Sequence, residues 1–198
     1  QWVDLTYKML GIRSNQAEEF EKANIVVKSI RVEQNGRMKE SMSFPPFLFR
    51  KFVKENFEDS EIYRYFDETR FFFVVWKRDG DVYRVLDSQL WNMPAHDLEY
   101  TVRDGWEQIQ RVIKYGVKFS KEETAKGIVV KNNLPKKTDN PIIHIRPHAQ
   151  KSAYRLHDGT LIGNVERDAN ELPNGEYMTT QSFWINNSYV LKQLKCLN

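Results

Sequence analysis

The chain has 198 residues, of which 40% are hydrophobic and 13% aromatic, and its 30 basic and 27 acidic side chains leave a net charge of +3. This apolar content suits a domain with a sizeable core, and the nearly balanced charge excludes a largely disordered chain. The single cysteine, Cys196, excludes an internal disulfide and a multi-cysteine zinc site. Because no apolar run approaches the ~20 residues that span a bilayer, we expect a cytoplasmic protein without a membrane partner.

The first half of the chain predicts short helices mixed with hairpin strands. In chain order, the residue pattern indicates helices over 2–10 and 15–22, strands over 24–33 and 39–44, a helix over 47–56, and strands over 70–77 and 82–86. Asn35-Gly36 and Asp79-Gly80 are tight-turn signals, so each is expected to join two of these strands as a hairpin. Pro45-Pro46 is expected to end the first hairpin.

A long amphipathic helix is predicted over residues 95–115. Pro94 precedes this helix, and Gly116 ends it. Its apolar residues recur at helical spacing, and they are Leu98, Val102, Trp106, Ile109 and Ile113. This stripe is assigned to the hydrophobic core rather than to a cofactor site.

The remainder of the chain predicts surface segments and short elements. Residues 118–140 are rich in lysine and turn formers and are expected to lie on the surface. A short strand is predicted over 141–145, and a final helix is predicted to be capped by Asn187-Ser188 and to end near Leu197. Mixed strands and helices of this kind predict one α/β domain over residues 1–198 with a mixed sheet.

Two groups of segments carry a resemblance to a known family. The first group is Glu19–Ile30 (EFEKANIVVKSI) with Gln34–Arg37 and Glu40-Ser41, and the second is Ile143–Ala149 (IHIRPHA) with Leu172–Gly175 and Phe183–Asn187. In this order they resemble the MutH family of methyl-directed mismatch-repair nucleases and the related type II restriction enzymes that cut GATC. Within this family, the chain is most similar to the second, C-terminal half of an enzyme built from two MutH-like domains in tandem.

The resemblance implies a MutH-like restriction-endonuclease fold, in which helices flank a central mixed β-sheet. It also implies that the chain is the C-terminal fragment of a longer two-domain protein, and the first residue, Gln1 rather than Met, agrees with this expectation. The expected partners are double-stranded DNA that contains GATC and an N-terminal catalytic MutH-like domain of the same chain. Mg²⁺ is expected as the cofactor of that catalytic domain and not of this one.

The acidic residues of the family's nuclease site are largely missing from this sequence. The family holds divalent metal with an acid, a spacer and then an acid-x-Lys pattern on a strand. Here the matching strand has Val26 in place of the acid and retains Lys28, while Glu19 keeps the earlier acid and Tyr7 stands where a further acid is expected. No Asp-x-Lys or Glu-x-Lys occurs in the sequence, and the nearest substitute, Asp87-Ser88-Gln89, has no evident partner acid.

Tyr7, Glu19, Val26 and Lys28 are therefore interpreted as vestigial positions of a nuclease site. No catalytic or metal-binding residue is assigned. Lys28 has two interpretations, a phosphate contact in a former catalytic cleft or a solvated strand lysine. Glu19 is similarly either a remnant metal ligand or a surface helix residue.

The Arg146-Pro147-His148 segment is the main candidate for reading DNA. Pro147 is expected to lead the chain from a strand into a loop, and the resemblance assigns Arg146 to sequence reading, because an arginine fork matches guanine in the major groove. The alternative for Arg146 is a surface ion pair. His148 is either a DNA contact or a loop histidine, His144 is expected to be structural, and Trp184 packs either against DNA or in the core.

Four further residues are candidate DNA contacts. Lys136, Lys137 and Lys151 are expected to bind phosphates, with solvated lysines as the alternative. Asn186 precedes the final helix, where free N–H groups favour phosphates. A simple N-cap at Asn187 explains the same sequence.

Three hypotheses for function follow. The first is a GATC-binding domain without its own nuclease site that acts as an allosteric effector of a linked endonuclease domain, with a homodimer on DNA as a further expectation. The second is an active metal-dependent endonuclease with relocated ligands, and the third is a purely structural dimerisation module. The absence of acid-x-Lys disfavours the second hypothesis, and the Arg146 segment disfavours the third.

Overall fold

The chain has a mixed α/β structure, seen in a computed structural model that describes residues 2–9, 11–12, 17–125 and 127–197. It divides into two compact units. Unit 1 comprises Gln1–Met42, Glu61–Glu99 and Asn186–Asn198, and unit 2 comprises Ser43–Ser60 and Tyr100–Ile185. No helix of the described residues combines the length and the apolar character that a membrane span requires.

The elements of the described residues are short, apart from the third and fourth strands and the fifth helix. The helices are α1 (Trp2–Met9), α2 (Ala17–Lys22), α3 (Phe49–Phe52), α4 (Glu61–Glu68), α5 (Arg103–Tyr115), α6 (Val165–Asp168) and α7 (Asn187–Gln193). The strands are β1 (Ile25–Val32), β2 (Met42–Phe47), β3 (Arg70–Asp79), β4 (Val82–Trp91), β5 (Phe119–Thr124), β6 (Gly127–Asn132), β7 (Ile143–Pro147), β8 (Tyr154–Arg155), β9 (Leu161–Ile162), β10 (Ala169–Glu171), β11 (Tyr177–Thr179) and β12 (Gln181–Ile185).

Unit 1 contains a three-stranded sheet in the order β1-β3-β4, in which β1 is parallel and β4 antiparallel to β3. The predicted Asp79-Gly80 hairpin between β3 and β4 is confirmed, with Gly80 at a φ of 59°. Phe71 and Phe73 are fully buried on β3, and the ring of Phe73 stacks on Trp91 with 5.3 Å between ring centroids. The apolar strand that the sequence predicts is therefore a core strand.

The hairpin predicted at Asn35-Gly36 is wrong. The turn at Asn35-Gly36 is present, because the Glu33 N–H donates to the Arg37 carbonyl at 2.8 Å, but only an isolated bridge joins Val32 to Met38. The chain then leaves this turn, and β2 lies in a sheet of order β2-β12-β7. Pro45-Pro46 lies within β2 rather than ending it. Proline lacks an N–H donor and is tolerated on an edge strand, which is the place that β2 occupies.

Unit 2 contains the β2-β12-β7 sheet, a second sheet in the order β10-β11-β8-β9, and the β5–β6 hairpin. The predicted long helix is confirmed as α5, preceded by a π-helical turn over Asp97–Val102. Trp106 on α5 is buried, and its ring lies edge-on against Phe52 and Phe57 at 5.1 and 5.5 Å between centroids. The apolar stripe of α5 is thus core, as its spacing predicts.

Other boundaries differ from the predicted ones. The surface segment predicted over 118–140 includes the β5–β6 hairpin, and the helix predicted over 47–56 is reduced to α3. The strand predicted over 141–145 is β7, and the final helix has its N-cap at Asn186 rather than Asn187. The predicted helix residues Leu10, Asn15 and Gln16 lie outside the described residues. The MutH-like fold and the single domain over 1–198 stay predictions.

Candidate nucleic-acid interface

The antiparallel pair of β7 and β12 places the predicted reading residues on one surface. Arg146 lies opposite Ser182, and His144 lies opposite Trp184. Cross-strand partners point to the same face of a sheet, and so do residues two apart on one strand. These four side chains therefore share one face of the β2-β12-β7 sheet in unit 2.

Arg146 is exposed on this face, and its guanidinium lies over the ring of Trp184, 5.2 Å from the centroid. Stacking of this kind holds the guanidinium plane without using its N–H donors. Within the described residues, Arg146 has no carboxylate partner, so the alternative of a surface ion pair finds no support. The expectation that Arg146 lies in a loop is wrong, because β7 continues through Pro147, which pairs with Gln181.

His148 follows Arg146 at the end of β7 and is exposed. Its backbone N–H donates to the Thr180 carbonyl at 2.7 Å, and its Nδ1 lies 3.0 Å from the Ser182 hydroxyl. One ring nitrogen is thus held by the protein, and the ring remains accessible to a ligand. Trp184 is half-buried, which combines core packing with one ring face turned toward Arg146.

A groove of about 480 Å³ lies beside Arg146 in unit 2. Four cations line it: Lys131, Lys136, Lys137 and Arg146. The structure therefore brings together three of the predicted contacts and adds Lys131 and Asn132, which sequence reasoning missed. A row of cations with an adjacent aromatic ring is typical of a surface that binds a polyanion.

The electrostatics of the groove favour an anionic ligand. Burial, and then the positive charge of Arg146, lower the pKa of the Lys137 ammonium group. Like charges held close together raise the free energy of the unliganded surface, and a phosphate between them relieves the repulsion. The backbone N–H of Lys136 is held at 2.7 Å by the carboxylate of Asp139, which fixes the turn before β7.

Asn140 joins the start of β7 to the π-helical turn before α5. The Asn140 side-chain oxygen accepts from the N–H groups of Ile142 and Ile143, each at 3.0 Å, and its amide donates to the Thr101 carbonyl at 2.8 Å. A Cβ at Gly105 on α5 would approach the Asn140 amide nitrogen to 2.7 Å, so glycine is the residue that fits there. Asn140 thereby ties the start of the strand that carries Arg146 to the π-helical turn.

His148 and Trp184 lie outside the groove lining, and so do the predicted contacts Lys151 and Asn186. Lys151 is exposed, and its charge is a minor contributor to the lowered pKa of Asp168, after the hydrogen bonds from Arg167. Asn186 is only 2% exposed, and its carbonyl accepts from Tyr189 and Val190 at the start of α7. A side chain this buried offers no surface to DNA, so the structure gives no support to an Asn186 contact.

The vestigial positions lie in unit 1. Tyr7 is half-buried on α1, Val26 is on β1, and the Glu19 side chain lies outside what the structure describes. Lys28 is half-buried on β1, where burial lowers the pKa of its ammonium group, and it makes no hydrogen bond or ion pair within the described part of the chain. Lys28 is therefore only partly solvated.

Tyr7 and Val26 do not fit a divalent cation. The isopropyl group of Val26 and the phenol of Tyr7 are not ligands for Mg²⁺. Across the described ranges, no group of three or more histidine, cysteine or acidic side chains could hold a metal ion. Gln89 of the substitute motif donates to the Gln193 carbonyl and accepts from the Lys195 N–H, which gives it a structural part.

An arginine stacked on tryptophan beside three groove lysines is typical of surfaces that bind polyanions. The chain is 36% identical over 197 residues to the type II restriction enzyme Sau3AI of Staphylococcus aureus. The similarity covers 92% of this chain and 40% of that enzyme, so the chain spans less than half the length of this relative. No protein-family profile matches the chain.

Proposed function

We propose that this chain is a sequence-specific DNA-binding domain that reads GATC in double-stranded DNA. The observation that carries the proposal is the exposed Arg146 fork, stacked on Trp184 at 5.2 Å beside a cation-lined groove. The similarity to a type II restriction enzyme supports DNA as the polyanion. The fold is proposed to be MutH-like, with helices around a mixed sheet.

Residues in the groove and next to it have proposed parts in binding. Arg146 donates two hydrogen bonds to O6 and N7 of a guanine, which is the geometry that a planar guanidinium matches best. Lys136 and Lys137 bind backbone phosphates and set the register without reading sequence. Trp184 restrains the Arg146 plane before DNA arrives, and His148 adds a hydrogen bond from the free side of its ring.

The domain is proposed to bind DNA without cutting it. Val26 and Tyr7 supply no carboxylate, and the sequence contains no acid-x-Lys pattern. Incubation of this chain with GATC plasmid and Mg²⁺ or Mn²⁺ is expected to leave the plasmid intact. Cleavage that copurifies with the chain and disappears in Lys28→Ala would instead support an active nuclease with relocated ligands.

We further propose that this domain is an allosteric effector of a linked catalytic MutH-like domain, which would hold Mg²⁺. The similarity covers 40% of the related enzyme, which leaves room in that protein for a second domain of similar size. DNA bound at this domain would favour one state of the catalytic domain, and such coupling is typically worth roughly 1–3 kcal/mol. A homodimer on DNA is a further proposal.

The binding proposal is tested by titrating the chain with a GATC duplex and with a scrambled duplex of equal length, at one fixed salt concentration. We expect tighter binding to the GATC duplex, because only base contacts separate the two sequences. Equal affinity for the two duplexes would leave a non-specific DNA-binding protein, and no binding to either would remove the proposed function.

The effector proposal needs a longer protein that joins this chain to a catalytic domain. Such a protein is expected to cut DNA with two GATC sites faster than DNA with one. A short uncleavable GATC duplex should stimulate cutting of the one-site DNA at low concentration and compete with it at high concentration. Equal rates on both substrates, with no response to the added duplex, would argue for simple tethering.

A further inference from the structure

The β5–β6 hairpin of unit 2 projects into solvent beside the groove. Residues 120–124 on β5 are all exposed, and β6 ends with Lys131 and Asn132, which line the groove. Within the described chain, the two strands pair with each other and with no further strand. A lone two-stranded hairpin is marginally stable in water, so contacts beyond its own ladder must hold this one in place.

One face of the hairpin is anchored to the turn after β8. Lys121 donates from its Nζ to the carboxylate of Asp158 at 2.7 Å and to the Thr160 hydroxyl at 3.1 Å. These hydrogen bonds hold the pKa of the Asp158 carboxyl well below its usual range, with Lys121 as the largest cause. The ring of Phe119 also lies edge-on to Tyr154, 6.0 Å between centroids. Lys121 is thereby committed to the anchor.

The opposite face of the hairpin carries Lys131 and Glu122. Cross-strand pairing places Lys131 opposite Ser120 and Glu122 opposite Val129, two positions further along the same face. Lys131 Nζ lies 2.5 Å from the Glu122 carboxylate, and the two side chains are 56% and 55% exposed. An exposed ion pair of this kind contributes only about 0–1 kcal/mol. A DNA phosphate can therefore displace the carboxylate from the ammonium group at small cost.

Building on the proposed function, we propose that the β5–β6 hairpin is a second arm of the DNA interface. In this arm, Lys131 binds a backbone phosphate of duplex DNA, and Glu122 competes with the DNA for that ammonium group. Lys131 lines the same groove as Lys136, Lys137 and Arg146, so one bound duplex can contact all four cations. The arm reads no bases, because its cation contacts phosphate alone.

The competition gives two variants opposite effects on affinity. Lys131→Ala removes one phosphate contact, so it should weaken binding to GATC and scrambled duplexes alike and reduce the slope of log K against log salt by about 0.9. Glu122→Gln removes the competing carboxylate and its repulsion of phosphate, so it should tighten binding to both duplexes. The ratio of the two affinities should stay constant in each variant. Lys114→Ala, an exposed lysine of α5 that does not line the groove, is the matched control.

The measurement is a titration of labelled duplex at four or more salt concentrations, with the folded state of each variant checked by thermal unfolding. Binding by the unaltered chain, together with unchanged affinity and slope in both variants, overturns the hairpin arm and leaves the proposed function standing. No binding by the unaltered chain overturns the proposed function itself. If Lys131→Ala unfolds, Glu122→Gln decides alone: tighter binding supports the arm, and equal or weaker binding overturns it.

Discussion

Two strands of this chain each carry a basic side chain next to an aromatic residue, and their surroundings are opposite. On β1, Lys28 lies opposite Phe73, is half-buried, and has its pKa lowered by burial. On β7, Arg146 is exposed, stacks on Trp184, and shares a groove with three lysines. Both residues come from segments that carry the family resemblance.

The different surroundings of Lys28 and Arg146 determine whether each charged group can bind a ligand. The ammonium of Lys28 is half-buried and makes no ion pair within the described residues, so the burial of its charge costs free energy. The guanidinium of Arg146 is exposed, and no carboxylate of the described residues pairs with it, so its N–H groups can reach a ligand. The strand that would perform chemistry and the strand that would recognise DNA can therefore be altered separately, and four substitutions test this.

The largest effect is expected from Asn140→Ala. This change leaves the buried N–H groups of Ile142 and Ile143 without their acceptor, and unsatisfied buried donors cost about 1–3 kcal/mol each. We expect a loss of about 2–4 kcal/mol in the free energy of unfolding, measured by urea titration. Asn133→Ala, whose side chain accepts from the exposed Lys118 N–H, is the control and should lose far less. Equal losses would show that the Asn140 side chain does not hold the start of β7.

The next effect is expected from Arg146→Ala. Loss of a bidentate guanine contact is worth roughly 1–3 kcal/mol, so discrimination between GATC and scrambled duplexes should fall by about 5- to 150-fold. Arg155→Ala removes another exposed arginine that stacks on an aromatic ring, Tyr177 at 4.1 Å, outside the groove, and should leave discrimination intact. An unchanged ratio in Arg146→Ala would mean that this residue does not read bases.

A smaller effect, of the opposite sign, is expected from Lys28→Met. The folded-state pKa of Lys28 is lowered, so the penalty for burying its charge is complete at neutral pH and fades as the pH rises through that pKa. The variant should be more stable than the unaltered chain at neutral pH, which a rise in Tm measures. Near pH 10.5, the ordinary pKa of lysine, the two proteins should converge. A destabilised variant at neutral pH would reveal a favourable role for the charge.

The smallest effect is expected from Trp184→Leu. The change keeps an apolar side chain and removes the ring face under Arg146, and a cation–π contact at an exposed site is worth about 0.5–1 kcal/mol. Discrimination for GATC should fall by about 2- to 5-fold, and Trp184→Phe should restore most of it. If leucine and phenylalanine behave alike, the ring does not orient the guanidinium.

Elements with local signals could be predicted from the sequence. The Asp79-Gly80 turn and the apolar stripe around Trp106 define β3, β4 and α5, because their determinants lie within a few residues of one another. The pairing of β2 with β12 could not be predicted, since these strands are distant in the sequence and the Asn35-Gly36 turn favours the local alternative. The turn forms, but β2 pairs with β12 instead of with β1.

The candidate site also contains residues that could be predicted from the sequence and residues that could not. The resemblance points to Arg146. The structure adds that its guanidinium lies over the Trp184 ring and that its side chain is exposed. Lys131 was missed because its hairpin is exposed on most of its positions, and a strand without a buried face shows no alternation of apolar and polar residues. Asn186 was assigned to the surface because sequence position alone does not give burial.

The paired prolines of β2 also bear on how the protein avoids self-association. An edge strand with free N–H groups is a template on which another chain can add a strand and begin to aggregate. Consecutive N–H groups of a strand point to opposite sides, so the Pro45-Pro46 pair removes one donor from the free edge of the β2-β12-β7 sheet. At the opposite edge, β7 carries the charged Arg146, which also discourages strand addition. The sheet that carries Arg146 is thereby protected along both of its borders.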